Sequence, residues 1–242
     1  MIKVNYWLNL GIICLLASKR SDLFFIFVFR KDKIRFNNVS TSILCQFSVD
    51  ELERLLRVNA KIAVENYKRY QAFHAEGTPE LPALLAYTGI VFKRLNAKDF
   101  SKVEFEYAQE HLRLTSFCYG LLRPLDVIRS YRLEGDVVLP ELGNQTMFSY
   151  WQSRLTDVFI EDIKKAGGIL CNLASDEMKS LFDWKRVEKE VHVITPEFQV
   201  WKNGKLASIV IYIKMSRGEM TRFILKNRIE NPEDLKSFSW EG

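Results

Sequence analysis

The stretch from Phe148 to Glu177 constrains the fold more than any other. A helix-period run from Phe148 to Lys165 stops at Gly167-Gly168, a continuous apolar run follows from Ile169 to Ala174, and Ser175-Asp-Glu177 opens another helix at once. The glycine pair ends the first helix because it accepts left-handed backbone. The apolar run is a buried strand, since it does not alternate between apolar and polar positions. Ser175 is a residue type whose side chain caps free helix amides, and acids in the first turn complement the helix dipole. Helix, buried strand and helix in immediate succession predict a layered α/β fold.

The remaining local signals agree. Ser48-Val-Asp-Glu51 is a capping box, followed by Leu52, Leu55, Leu56, Ala60 and Ala63 at helical spacing. It predicts a helix, or two joined by a tight turn near Val58-Asn59, running to about Phe73 before Gly77-Thr-Pro79 breaks it. Leu84 to Phe92 contains a buried apolar stretch, and a second capping box, Ser101-Lys-Val-Glu104, opens a helix through about His111. Leu112 to Tyr119 predicts a buried strand ended by Gly120 and Pro124. Val191 to Ile194 and Phe198 to Trp201 read as strands, and Asn203-Gly204 predicts a type I′ hairpin leading into Leu206 to Ile213. Ser216-Arg-Gly-Glu219 has the form of a third capping box, opening a helix through about Arg228. The expectation is a single α/β domain with a mixed sheet flanked by helices.

Charge divides the chain at about residue 47. Lys3, Lys19, Arg20, Arg30, Lys31, Lys33 and Arg35 face only Asp22 and Asp32, so this segment carries the whole net charge of +5 and the remainder is balanced. The general basicity expected of a DNA-binding domain is therefore absent from residues 47–242, and only local patches remain. Residues 1–46 form an atypical segment. The apolar runs Tyr6 to Ala17 and Leu23 to Phe29 are each too short to span a bilayer and are separated by charge, so no membrane partner is expected. Leu15-Leu-Ala-Ser-Lys19 is a poor signal-cleavage site. Two short buried strands, or a stretch that folds apart from the rest, are the readings left open. Cys14, Cys45, Cys118 and Cys171 lack paired spacing, which argues against a zinc site and for reduced thiols in a cytoplasmic protein. No cofactor or metal is expected.

Three polar clusters are candidates for function. The first contains Arg113, Arg123, Asp126, Arg129, Arg132 and Glu134. Its arginines could grip a carboxylate or phosphate with two nitrogens, or staple the loop internally, and the sequence leaves both open. The second is Asn172-Leu-Ala-Ser175-Asp176-Glu177, where a strand ends and a helix begins, the place where α/β sheets gather ligands. Plain helix capping explains the same residues, and two acids there favour a polar or cationic ligand over an anion. The third runs from Lys214 through Arg217 and Arg222 to Lys226 and Arg228, with Glu219 as the one acid. It is the densest positive patch of the folded part and the strongest anion-binding candidate, against the alternative of a solvated charged face. There is no Gly-rich phosphate loop, nucleophile elbow or metal-spaced histidine pair.

Glu110-His-Leu-Arg113, Tyr119-Gly-Leu-Leu-Arg-Pro-Leu-Asp126, Tyr131-Arg-Leu-Glu134, Asn172-Leu-Ala-Ser-Asp-Glu177 and Lys214-Met-Ser-Arg-Gly-Glu-Met-Thr-Arg222-Phe occur in this order. Together they resemble the YaaA family of peroxide stress proteins, over about residues 47–242. The resemblance implies a cytosolic bacterial factor that limits iron-dependent oxidative damage, with a helix-hairpin-helix-like element near the amino-terminal side and a basic cleft that binds double-stranded DNA. That element would fall on Ser48 to Phe73, although Arg57-Val-Asn-Ala-Lys61 lacks the glycines that let backbone amides approach a phosphate. The family's opening strand motif is not matched in residues 1–46, and its members are expected to continue past Ser239-Trp-Glu-Gly242. The alternative function is an enzyme acting on a small anionic or nucleotide-like substrate in a cleft lined by Arg123, Ser175 and Arg217. No catalytic residue is assigned.

Overall fold

A computed structural model describes residues 12–16 and 40–240. The apolar run Leu23 to Phe29 lies outside the described residues. Part of the run Tyr6 to Ala17 does not: Ile12–Leu16 forms strand β1, and Ile12, Ile13 and Cys14 are buried.

Local capping sets the elements that follow. Helix α1 (Val49–Leu55) starts at Ser48, whose hydroxyl accepts the Glu51 amide at 3.3 Å while the Glu51 carboxylate accepts the Ser48 amide at 2.7 Å. Arg57 takes a left-handed φ of 50°, and the Asn59 side chain accepts the Ile62 amide at 3.0 Å to start α2 (Ala60–Gln71). The result is a helical hairpin at the position expected for a helix-hairpin-helix-like element. After Gly77, at φ 77°, come β2 (Glu80–Pro82), α3 (Ala83–Ala86) and α4 (Ile90–Leu95). The second capping box is present at Ser101 and Glu104, and α5 (Lys102–His111) runs from it directly into β3 (Leu112–Ser116).

The chain turns back as β4 (Gly120–Leu122), pairs β5 (Val127–Arg129) with β2, and makes the short ladder β6 (Val138–Leu139) with β7 (Gln145–Thr146). Thr146 caps α6 (Met147–Lys165), and the helix ends into Gly167 and Gly168, both at positive φ. Strand β8 (Ile169–Asn172) follows, then α7 (Asp176–Lys179), α8 (Trp184–Glu190) and β9 (His192–Ile194). Asn203 and Gly204, at φ 53° and 75°, join β10 (Val200–Lys202) to β11 (Lys205–Ala207), the backbone signature of the expected I′ turn.

The central sheet is mixed, in the order β4-β3-β1-β8-β9. Among the described strands only the β8–β9 pair is parallel, and β1 runs antiparallel to both of its neighbours. Strands β3, β8 and β9 therefore share one direction and present their carboxyl ends at one edge. Arg113, Ile13 and Asn172 form a single row across the sheet. Helix α6 buries Trp151, Leu155, Phe159 and Ile163 in the core, where Phe159 stacks on Phe182 at 4.1 Å.

The carboxy-terminal region departs from the sequence reading. The strand expected over Leu206 to Ile213 ends at Ala207, and helix α9 (Val210–Asn227) begins far earlier than Ser216. Ser216 is a buried interior residue, so Ser216-Arg-Gly-Glu219 is not a cap. Once the middle of a helix is anchored, each residue added upstream gains a backbone hydrogen bond, here Ile213 amide to Ile209 carbonyl at 2.9 Å. That propagation overrides the β-branched character of Ile209-Val-Ile-Tyr-Ile213.

Candidate functional site

At the carboxyl edge of the sheet the backbone is held in place by buried polar side chains. Asn172, the last residue of β8, accepts the Ala174 amide at 3.1 Å and donates to Thr195 beyond β9 at 3.5 Å. These bonds fix the loop that delivers Ser175. Thr115 on β3 donates to the Met178 sulfur at 3.4 Å, seating α7 over the sheet. The neighbouring Ser116 hydroxyl lies 2.6 Å from the Tyr131 hydroxyl, which lies 3.1 Å from that of Tyr87. It also accepts the Tyr119 amide at 2.8 Å. Tyr70 donates to the Arg132 carbonyl, so the strap over residues 131–134 is tied down at the Tyr131 hydroxyl and at the Arg132 backbone.

The strap brings Arg132 and Glu134 toward the loop after β8. Arg132 Nη2 lies 2.9 Å from Glu134 Oε1, but its Nε is buried without a hydrogen-bond partner. Ser175 Oγ is buried and unpartnered too, and it does not cap its helix. Burial raises the Glu134 carboxyl; Arg132 offsets part of this, while Glu177 and Asp136 add to it. Asp176 is held low, first by its hydrogen bond from Lys179, with which it makes a 2.8 Å ion pair. Arg217 reaches the same place from α9. Burial lowers its guanidinium, opposed by the nearby Asp176 charge, and it has no hydrogen-bond or ion-pair partner among the described residues. A half-buried guanidinium without a hydrogen-bond partner among the described residues keeps the capacity to donate to an acceptor group. With Arg132, Lys179 and Arg217 against Glu134, Asp176 and Glu177, the locality is balanced and suits a polar ligand that carries one anionic group.

The other candidate residues lie elsewhere or are engaged. Arg113 is buried, donating from Nε to Asp162 on α6 at 3.0 Å and from Nη1 to the Glu110 carbonyl at 3.0 Å and the Leu112 carbonyl at 2.9 Å. Arg123 follows Leu122, which pairs with Leu114, and so stands toward the amino end of β3, away from Ser175. Its guanidinium is 3.9 Å from Asp162. Asp126 accepts the Arg123 amide at 2.8 Å and closes that turn. Within the basic patch, Arg222 binds Asp99 at 2.7 Å and 2.8 Å and the Leu95 carbonyl at 3.1 Å, and Lys226 binds Glu104 at 3.0 Å. Lys214 lies on α9 one turn before Arg217. The structure thus brings Ser175, Asp176 and Arg217 together, and Arg132, Glu134 and Glu177, while Arg123 is not part of that group.

Several residues that shape the site are not among the candidates the sequence offers. Asp99 and Asp162 consume arginines that look like anion ligands in the sequence, and Thr195 and Tyr131, the latter inside a family motif, orient the site from distant positions. Gly218 fixes where Arg217 sits: a Cβ there would fall inside van der Waals contact of the Val91 carbonyl oxygen and 2.8 Å from Arg94 Cβ, so only glycine lets α9 press onto α4. In the sequence Gly218 reads only as part of the expected cap Ser216-Arg-Gly-Glu219, so its place in a helix interior is visible only in the folded chain. Among the described residues no helix is long and apolar enough to cross a membrane.

Comparison with known proteins is consistent along the chain. The family model described as "Peroxide stress protein YaaA" matches residues 29–242. A UPF0246 protein of Bacteroides thetaiotaomicron is 87% identical over 199 residues, covering 82% of this chain and 77% of its own. A UPF0246 protein of Phocaeicola vulgatus is 67% identical over 199 residues, with 82% and 78% covered. One of Saccharophagus degradans is 36% identical over 202 residues, again with 82% and 78% covered.

Proposed function

The chain belongs to the YaaA family of peroxide stress proteins, which act in the response to oxidative stress, and from that membership we propose that it limits iron-dependent damage in the cytoplasm by binding a small ligand at the carboxyl edge of its sheet. The ligand is polar and carries one anionic group, as a nucleotide-like molecule does. The observation that carries this reading is Arg217, whose guanidinium is half-buried beside Asp176 and makes no bond to the described residues. The unpartnered Ser175 hydroxyl and Arg132 Nε supply further hydrogen-bonding capacity close by. Buried polar atoms left unsatisfied cost free energy, which a ligand returns on binding.

Double-stranded DNA is the other partner the family resemblance suggests. It would draw on the same basic residues, and the commitment of Arg113, Arg222 and Lys226 to internal carboxylates weighs toward the small ligand. Two titrations separate the readings. Thermal denaturation is followed with inorganic phosphate and nucleoside monophosphates on the native chain, Arg217→Ala and Ser175→Ala. Saturation at one hundred times Kd stabilises the native protein by about 2.7 kcal/mol, and Arg217→Ala abolishes the gain. Anisotropy with a short duplex at two salt concentrations provides the second arm. Tight, steeply salt-dependent duplex binding without any small-ligand shift would transfer the function to DNA.

A further inference from the structure

Cys14 on β1 and Cys171 on β8 are far apart in the chain, yet they are register partners in the middle of the central sheet. Directly opposed residues of an antiparallel pair carry their side chains on the same face, with Cα atoms about 4.5–5.5 Å apart. A disulfide spans Cα separations of about 4.4–6.8 Å, so this rung lies within reach of an S–S bond. Both thiols are free and buried. Burial raises the pKa of each, Cys171 to about 12, and the neighbouring Cys171 charge raises Cys14 further. The other two cysteines are placed differently: Cys45 donates to the Tyr70 carbonyl at 2.9 Å, and Cys118 lies in the turn between β3 and β4.

Two thiols held side by side by the fold couple with no loop entropy left to lose. With β1 in place both are protonated and shielded, and such thiols are slow toward peroxide. Oxidation therefore runs through openings in which β1 leaves its ladders, a local rather than a global unfolding. One exposed thiolate attacks hydrogen peroxide: the O–O bond breaks, one oxygen stays on sulfur as a sulfenic acid, and the other leaves as water. When β1 returns, the partner thiol attacks the sulfenic sulfur. The S–S bond forms, the S–O bond breaks, and the departing hydroxyl takes the thiol proton as a second water. Two thiols and one peroxide thus give one disulfide and two waters, the two electrons passing from the sulfurs to the peroxide.

We propose that Cys14 and Cys171 are a modification site at which hydrogen peroxide installs a disulfide, latching β1 to β8 in the middle of the sheet. That oxidant is in keeping with the description of the family as peroxide stress proteins. The bridge falls one residue before Asn172, whose side chain fixes the loop that delivers Ser175, so oxidation ties the carboxyl edge to the latched strand.

The folded full chain is incubated with hydrogen peroxide, in buffer and in urea below the unfolding midpoint, then denatured, alkylated, digested and mapped by mass spectrometry with and without reductant. A reducible peptide pair joining Cys14 to Cys171 is expected, with the free thiols falling from four toward two. The same treatment of the chain fully unfolded in urea should scatter cross-links over all pairs of cysteines. In the folded chain the Cys14–Cys171 pair should exceed every other pairing by roughly tenfold or more. Four free thiols after both folded-state incubations would overturn the proposal. So would a folded-chain mixture of pairings like that of the unfolded chain, or sulfinic acid at Cys14 and Cys171 in place of the cross-link.

Discussion

Arg222 on α9 and Asp99, 123 residues earlier, meet through both guanidinium nitrogens at 2.8 Å and 2.7 Å. The same arginine donates to the Leu95 carbonyl at 3.1 Å, one of the carbonyls left open at the end of α4. One side chain therefore fastens the longest carboxy-terminal helix to the turn that precedes α5. Removing it should destabilise the fold. Asp99 is 44% exposed, so solvent screening discounts the pair, and Arg222→Ala is expected to cost about 1–2 kcal/mol in urea denaturation at pH 7.

The pH dependence follows from the carboxylates that α9 engages. Asp99 is lowered chiefly by its hydrogen bond from Arg222, and Glu104 chiefly by the Ser101 amide and then by Lys226. A carboxyl whose folded pKa lies below its unfolded one stabilises the fold above the ordinary carboxylate range and loses that contribution as pH falls through the folded pKa. The deficit of Arg222→Ala relative to the native chain should therefore be full at pH 7 and shrink below about pH 3, near and under the reference carboxylate pKa. A deficit that stayed constant with pH would place its cause outside the ion pair.

Gly218→Ala makes an independent test of the α9–α4 contact. Alanine is the better helix former by about 1 kcal/mol, so on propensity alone the change should stabilise. The Cβ would strike backbone at Val91 instead. Overpacking of this kind costs about 1–3 kcal/mol, and the net expectation is a loss of stability, read as a lower urea midpoint with an unchanged slope. A gain would mean that α9 stands off from α4.

What the sequence reveals here is what local chemistry decides. Ser48, Ser101 and Asn203-Gly204 specify caps and a turn within four residues, and all are present in the structure. The strand-to-helix switch at Ser175 is local too, and it locates the carboxyl edge. The start of α9 is not local: Ile209 to Ile213 has strand composition, and the helix wins because Gly218, Arg222 and Lys226 anchor its interior against distant segments. The fates of the arginines are unreadable for the same reason. Arg113 and Arg217 look alike in the sequence, but only the folded chain sets Asp162 beside one and leaves the other without an acceptor among the described residues.

Glu134 should behave as a residue kept at a cost to stability. Burial raises its carboxyl pKa despite Arg132, so the ionised form is disfavoured in the folded state. A raised carboxyl contributes most at low pH and progressively less as pH rises through the folded pKa. Glu134→Gln is therefore expected to melt at or above the native temperature at pH 7, with the difference narrowing toward pH 4. Losing the 2.9 Å contact with Arg132 opposes this gain. A marked drop in melting temperature at pH 7 would show that the ion pair outweighs the burial.

The sharpest contrast lies between the two arginines. Arg113 has only 5% of its side chain exposed and is the direct partner of Asp162, so Arg113→Ala leaves a carboxylate and several carbonyls without their donor. Breaking a buried pair from one side costs about 3–5 kcal/mol, enough to lower the folded yield. Arg217→Ala removes no bond to the described residues, and the stability change should stay within about 0.5 kcal/mol. If Arg217 anchors a ligand, the Arg217→Ala protein should be fully folded yet fail to restore peroxide survival to a deletion strain. Folded Arg217→Ala that restores survival completely would remove this arginine from the function, and with it the carboxyl-edge site as the place where the protein acts.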